Sequence, residues 1–275
     1  MTTLTLTKHH GLGNDFLVVF QPDVDDLAML ARQLCDRRRG IGADGLLIAD
    51  VADGYAARMT LYNADGSRAE MSGNGIRCFA QALAARRGDL SDQMILTDAG
   101  DRLVVLDATD DPATITARVE MGDVSGLDEP GGWSALGCHP DRPVAHLSLG
   151  NPHSVVGVDE VAAVDLAELG GQVPQINLEI VEPGPESNAI TMRVHERGAG
   201  ITEACGTGAC AAAYAARCWG LVARSERHVV VHMDGGTATV SFDDDAPERA
   251  VLTGPATYVA TIEVELSSEC LVLDA

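Results

Sequence analysis

Apolar and polar positions alternate along this chain in short runs, and two longer stretches break the rhythm by being apolar nearly all round. In "DVDDLAMLARQLCDRRRG", Leu27, Leu30, Ala31 and Leu34 recur at helical spacing and predict a helix with Asp23 as its N-cap. "GLLIAD" and "ARMTLYN" read as strands, and a Gly-rich turn leads into a helix from Gly73. "MILTDAGDRLVVLDA" reads as a hairpin through Ala99, Gly100 and Asp101. The order then recurs. "AHLSLGNPHSVVGV" precedes a short helix, "DLAELG", then the strands "NLEIV" and "AITMRVHE", then a helix from Gly206. "HVVVHMDGGTATVSF" closes the set as a hairpin through Asp234, Gly235 and Gly236.

The two passes are copies of one plan. The pairs Gly13-Asn14 and Gly150-Asn151 lie 137 residues apart, and the helix starts Gly73 and Gly206 lie 133 apart. The apolar stretches "IRCFAQALAA" and "ACAAAYAARCW" belong to these helices, and a helix apolar on every side is a buried one. The expectation is an α/β (α+β) fold of two pseudo-symmetric halves, 1–118 and 119–261, each a curved, mostly antiparallel sheet around a central helix. The last strand, "YVATIEVEL", is a candidate to return to the first half, with 262–275 counted there.

Composition narrows the picture. With 275 residues, 46% hydrophobic content and mean hydropathy of +0.06, the chain reads as a soluble globular protein with a real core. No run has the length of a membrane span, and the N-terminus lacks the layout of a secretion signal, so a cytoplasmic location is expected. A net charge of −22 argues against nucleic acid as a partner; it fits either a salt-rich habitat or simply a soluble surface. The seven cysteines are odd in number and lack zinc spacing, which points away from a disulfide framework and a metal site. Cys35, Cys78, Cys138, Cys210, Cys218 and Cys270 are assigned to packing.

The chemistry sits at the two helix starts. Cys205 and Ser72 each precede Gly-x-Gly where a helix opens. Backbone N–H groups there can hold a carboxylate, and they favour a thiol as thiolate. Two such ends sharing one cleft would put a proton handler on either face of a carbon next to a carboxylate, which is what inverting a stereocentre requires. Pyridoxal phosphate would need a lysine, and Lys8 is the only one, without a phosphate motif nearby. Neither helix start carries G-x-G-x-x-G, so no dinucleotide site is read and no cofactor is expected.

At this point six segments in order resemble the diaminopimelate epimerase family: "HGLGNDF", "DRRRGIGADGLL", "NADGSRAEMSGNGIRCFA", "GNPHSV", "ERGAG" and "EACGTGACAAA". The resemblance implies a cofactor-independent isomerase, a homodimer, interconverting LL- and meso-diaminopimelate for lysine and peptidoglycan. It implies that Cys205 is one catalytic thiol. Asn14, Asn63, Asn151 and Asn177 would hold the substrate, with Glu196 and Arg197 at its distal amino-acid end. Backbone at Gly73, Asn74, Gly206 and Thr207 would cradle the reacting carboxylate, and His153 and Glu196 would tune the thiols.

The chain departs from the family pattern at Ser72, which stands where the first catalytic cysteine is expected. Serine is a poor base without a partner. Cys78, six residues on, points elsewhere round the helix. Ser72 is read as a natural acid–base partner, as an engineered change that traps the enzyme, or as the mark of a paralogue. Ser154 and Gly45 are lesser departures. The rival readings are racemisation of another amino acid, such as histidine or another diamino acid, and a binding protein without turnover.

Overall fold

The structure is a computed structural model that describes residues 2–266. The chain divides into two compact units. The first holds residues up to 117 together with those from 255 onward, and the second holds 118–254.

In the first unit, β1 (Thr2–Gly11) and β2 (Asn14–Phe20) form a hairpin, followed by α1 (Leu27–Cys35), β3 (Gly45–Asp50), β4 (Ala57–Asn63) and the short β5 (Arg68–Ala69). Then come α2 (Gly73–Arg87), β6 (Gln93–Thr97), β7 (Gly100–Ala108) and the start of β8 (Thr114–Asp123). In the second unit the short β9 (Ser125–Gly126) leads to β10 (Val144–Ser148), β11 (Pro152–Gly157), α3 (Leu166–Gln172), β12 (Asn177–Pro183) and β13 (Ala189–Glu196). The short β14 (Gly200–Thr202), α4 (Gly206–Trp219), β15 (His228–Met233), β16 (Gly236–Phe242) and the start of β17 (Arg249–Leu266) complete it. The chain passes between the units inside β8 and β17.

The duplication read from the sequence holds at the level of hydrogen bonding. In the first unit β1–β2 pair antiparallel, β2–β3 parallel, β3–β4 antiparallel, β4–β6 parallel and β6–β7 antiparallel. In the second, β10–β11, β11–β12, β12–β13, β13–β15 and β15–β16 repeat those senses in the same order. The sheets are mostly antiparallel, as expected, and a helical crossover lies between the partners of each parallel pair. Residues 255–261, assigned above to the second half, belong to the first: Tyr258 pairs with His9 and Thr261 with Thr7. The remainder of the C-terminal segment counted there, 267–275, lies outside the described residues.

Turns and caps differ from the sequence reading in small, physical ways. Asp26, not Asp23, caps α1, its carboxylate accepting from the Met29 N–H at 2.8 Å. The β6–β7 turn is Asp98-Ala99, starting one residue before the expected stretch, and the β15–β16 turn is Asp234-Gly235, with Gly236 already in the strand. Between β1 and β2, Leu12 and Gly13 both take positive φ (56° and 83°). That is the two-residue turn whose twist suits a hairpin, and it delivers Asn14 directly opposite Gly11.

α2 and α4 are the cores of their units. Ala211, Ala212, Ala213, Ala215 and Ala216 of α4 are fully buried, and their small side chains let the surrounding strands approach closely. α2 is buried too, yet it carries Arg77 and Gln81 inward. Arg77 is satisfied by the carbonyls of Gly73 and Pro255 and by Asn74 Oδ1 at 2.7 Å. The buried helix is thus not purely apolar, and its polar members cost little because each is hydrogen-bonded.

Lys8 Nζ sits 2.8 Å from Asp15 Oδ2 and donates to the Gly42 carbonyl at 2.6 Å, while Arg37 bridges Asp15 and Asp44. Burial pushes the Asp15 carboxyl up, but hydrogen bonds and charge from Arg37 and Lys8 outweigh it and hold the group below its ordinary value. A carboxyl depressed on folding adds stability that is complete above its unfolded value of about 3.9 and is lost as pH falls through the folded value. Lys8→Met is therefore expected to cost roughly 1.5–3 kcal/mol near neutral pH. The deficit should narrow below about pH 4, as read from urea midpoints; a constant deficit would contradict this account.

Candidate active site

The two helix openings are built alike. Ser72 precedes α2 in extended backbone (φ −139°, ψ 123°), and Cys205 precedes α4 in the same way (φ −126°, ψ 116°). Ser72 Oγ accepts from the Gly75 N–H at 3.0 Å, and Cys205 Sγ from the Gly208 N–H at 3.3 Å. Each protic side chain is thus the N-cap of a buried helix, three residues before a glycine. A side chain would crowd both positions, Gly208 more than Gly75. A Cβ on Gly75 would lie 3.0 Å from Ser72 Cβ, and one on Gly208 would lie 2.7 Å from Glu179 Oε1 and 3.2 Å from Cys205 Sγ. Each helix also ends on a left-handed glycine, Gly88 or Gly220, so both rods are closed by the same devices.

In the first unit Asn14 Nδ2 donates to Asp44 Oδ2 at 2.7 Å, and Asn14 Oδ1 accepts from Asn74 Nδ2 at 3.1 Å. Asn74 lies within the first turn of α2, so Asn14 is fixed beside the helix that Ser72 caps. Asn63 closes a tight turn, donating to Ser67 Oγ at 3.0 Å. Gly73 opens the helix itself.

In the second unit Asn151 Nδ2 donates to Thr207 Oγ1 at 3.2 Å, and Asn151 Oδ1 faces His153 Nε2 at 3.0 Å. Thr207 Oγ1 is 3.5 Å from Cys205 Sγ. Asn177 Oδ1 accepts the Arg197 backbone N–H at 2.8 Å, and Asn177 Nδ2 donates to the Pro152 carbonyl at 3.1 Å. Glu196 Oε1 accepts from the Thr202 hydroxyl at 2.5 Å. Asn151, His153, Asn177, Glu196, Arg197, Cys205, Gly206 and Thr207 thus share one end of this unit's strands and the opening of α4.

The electrostatics of Cys205 depart from the sequence expectation. A thiol at a helix N-terminus is expected to ionise readily. Here burial pushes it well above its ordinary value, and the Glu196 and Glu179 carboxylates push the same way, against the Thr207 hydroxyl and the Gly208 N–H. The helix contribution is real but smaller than desolvation plus two negative charges. Burial pushes Cys35 and Cys78 up to about 12, and Cys78 lies inside α2, six residues past its cap, so it does not stand at that helix opening. No group of three or more His, Cys, Asp or Glu side chains among the described residues is arranged to hold a metal ion. Nor does any helix among them have the length and apolarity to cross a membrane.

Glu179 is the residue the sequence reading missed. It is wholly buried, and its Oε1 lies 2.6 Å from His153 Nδ1. A signal existed: a lone carboxylate at the centre of the apolar strand "NLEIV" is out of place unless paired. Asp15 and Asp44, behind Asn14, were also unassigned.

The fold places the chain in a class of duplicated α/β proteins. A structure described as a predicted epimerase from Pseudomonas aeruginosa superposes with a TM-score of 0.75 at 16% identity, covering 97% of this chain and 100% of that one. A PhzF-family phenazine biosynthesis protein from Bacillus anthracis gives 0.74 at 14% identity, with the same coverage of both chains. Within that class the assignment is specific. The family model for diaminopimelate epimerase matches residues 6–127 and 146–259. The diaminopimelate epimerase of Desulfitobacterium hafniense is 38% identical over 93% of this chain and 96% of its own. The chain belongs to the diaminopimelate epimerase family, and it is an isomerase.

The paired glycines carry a comparison. Gly208→Ala forces a methyl group onto a buried, hydrogen-bonded carboxylate, whereas Gly75→Ala meets only softer contacts of 3.0 to 3.4 Å with Ser72 and Phe16. Gly208→Ala is expected to lose about 1–3 kcal/mol in a denaturant titration and Gly75→Ala distinctly less. Equal losses would refute the asymmetry.

Proposed function

We propose that this chain interconverts LL- and meso-diaminopimelate by moving a proton off one face of the α-carbon and onto the other, with Cys205 and Ser72 as the two proton handlers. The observation that carries the reading is the matched capping of α2 and α4 by a protic side chain, in a chain of this family. Backbone N–H groups at Gly73, Asn74, Gly206 and Thr207 cradle the reacting carboxylate. The same dipoles stabilise the charge that spreads into the carboxylate as the α-proton leaves. Asn14, Asn63, Asn151 and Asn177 hold the substrate, and Glu196 with Arg197 take its distal amino-acid end. His153 and Glu196 set the proton affinity at Cys205. The enzyme works as a cytoplasmic homodimer and without a cofactor.

The two faces are chemically unequal. Cys205 can pass between thiol and thiolate, whereas Ser72 is far less acidic and lacks a thiol's nucleophilic, ionisable character. Exchange at the α-carbon should therefore run faster on the face that Cys205 serves. Proton NMR in deuterated water reads this directly, starting from each stereoisomer separately. Unequal exchange is expected, and equal exchange from both would exclude the asymmetry. Cys205→Ala should lower turnover by about 10²–10⁴-fold, the usual worth of a general acid–base group. Ser72→Cys should raise it and bring the two exchange rates together. Absence of exchange with diaminopimelate in both the wild type and Ser72→Cys would refute the proposed reaction.

A further inference from the structure

We propose that Glu179 is a positioning residue that, together with His153, forms the proton-accepting partner of Cys205, coupled to the sulfur through Asn151 and Thr207. This deepens the reading of Cys205 as a proton handler and rests on it.

The chain of contacts is continuous. Glu179 Oε1 is 2.6 Å from His153 Nδ1, His153 Nε2 is 3.0 Å from Asn151 Oδ1, Asn151 Nδ2 is 3.2 Å from Thr207 Oγ1, and Thr207 Oγ1 is 3.5 Å from Cys205 Sγ. The orientation of the Asn151 amide gives the chain a direction. Its oxygen faces Nε2, and an oxygen can only accept, so Nε2 carries a hydrogen. Its NH₂ faces Thr207, so the Thr207 oxygen accepts there and its own hydrogen is free to point at the sulfur. Every donor from the imidazole onward is aimed toward Cys205, the arrangement that stabilises a thiolate.

The opposite arrangement is equally consistent with hydrogen-bonding rules. With Nε2 bare, the amide turns over, Thr207 donates to Asn151, and the sulfur keeps its proton and donates to Thr207. The two arrangements differ by one proton, absent from Sγ and present on the His153–Glu179 pair in the first. The total charge is the same in both, and no co-reactant is needed.

Glu179 supplies the reason for the pair to take that proton. The side chains of His153 and Glu179 are both wholly buried. Glu179 Oε2 has no hydrogen-bond partner among the described residues. Burial pushes the Glu179 carboxyl up, with His153 opposing. A buried carboxylate in that condition is costly unless a proton joins its partner or itself. The charged groups that bear on the sulfur are Glu179 from β12 and Glu196 from β13.

The duplication contains its own control. His153 pairs with Asn177 across the β11–β12 ladder, and Glu179 follows two residues on. The matching ladder pair in the first unit is Phe16 with Gly45, and two residues on stands Leu47. Phe16 and Leu47 are both buried and apolar. Against the Gly75 position the nearest group of that pair is the Phe16 ring, where Glu179 stands against Gly208. The carboxylate–imidazole pair thus stands in the half that holds Cys205, and hydrocarbon occupies the matching positions of the other half.

The test is the rate at which iodoacetamide alkylates Cys205 in the full-length protein, followed peptide by peptide by mass spectrometry. The exposed Cys218 serves as the internal reference. Glu179→Gln should slow Cys205 about tenfold near neutral pH and move its pH profile upward, the scale of one hydrogen bond to a charged group. Thr207→Val should act in the same direction, and Thr207→Ser should keep the wild-type rate. If Glu179 were only a nearby negative charge, its removal would ease ionisation and speed alkylation. A wild-type or faster rate in Glu179→Gln, or a wild-type rate in Thr207→Val, overturns the proposal. Should Glu179→Gln fail to fold, the Thr207 pair decides alone, and equal rates for Val and Ser overturn it. Alkylation needs no substrate, so failure to epimerise diaminopimelate would sink the functional reading without touching this outcome.

Discussion

A buried helix must find partners for the N–H groups of its first turn, and in this protein a protic side chain answers that need at the opening of both α2 and α4. Ser72 and Cys205 each accept from the backbone three residues ahead. This fixes the rotamer of the protic atom and holds it against the positive end of the helix. Gly75 and Gly208 follow from the same constraint, because any side chain there would press on the cap. What surrounds the helix openings is arranged around that contact: Asn14 is bonded to Asn74 in one unit, and Asn151 to Thr207 in the other. Exchanging the capping residue at either opening would disturb both the closure of a helix and the position of the protic atom.

Duplication gave the two units one topology and let their chemistry diverge. The ladder senses agree strand for strand, and α2 and α4 begin and end in the same way. The surroundings of the two caps do not agree. In the first unit, Arg77 bonds to Gly73 and Asn74 at the α2 opening, and behind Asn14 the Asp15 and Asp44 carboxylates are paired with Lys8 and Arg37. Charge near Cys205 is carboxylate and imidazole. The first arrangement stiffens a strand pair and orients an amide. The second bears on the proton of a thiol. Such a division suits a reaction that needs one acid and one base, since two equal environments would give both groups the same protonation state.

The behaviour of Cys205 shows how a local rule is overtaken by its context. Position at a helix N-terminus favours a thiolate, and both the Gly208 N–H and the Thr207 hydroxyl act in that sense. Desolvation and two carboxylates act against them and prevail. Burial keeps bulk water from the sulfur, which strengthens each remaining electrostatic contact. The proton affinity of this thiol is therefore set by a handful of named groups rather than by solvent.

Periodicity and spacing in the sequence were enough to establish two copies of one α/β plan, the two buried helices, and the protic residue at the head of each. Those features are local, written in runs of a few residues, and the glycines and caps that mark them act within one turn of helix or strand. The helix starts at Gly73 and Gly206 and their caps Ser72 and Cys205 were legible for that reason, and the segments that resemble the family contain Asn14, Asn63, Asn151, His153, Glu196 and Arg197, while Asn177 lies outside them. Tertiary structure decided what depends on distant segments meeting. It set the parallel pairings, the return of residues 255–261 to β1 and the burial that overrides the helix effect at Cys205. It also brought Glu179 to His153, 26 residues away in the chain. A strand pattern reports that a position faces inward; only the packed neighbours determine whether a charge placed there is a liability or half of a proton-sharing pair.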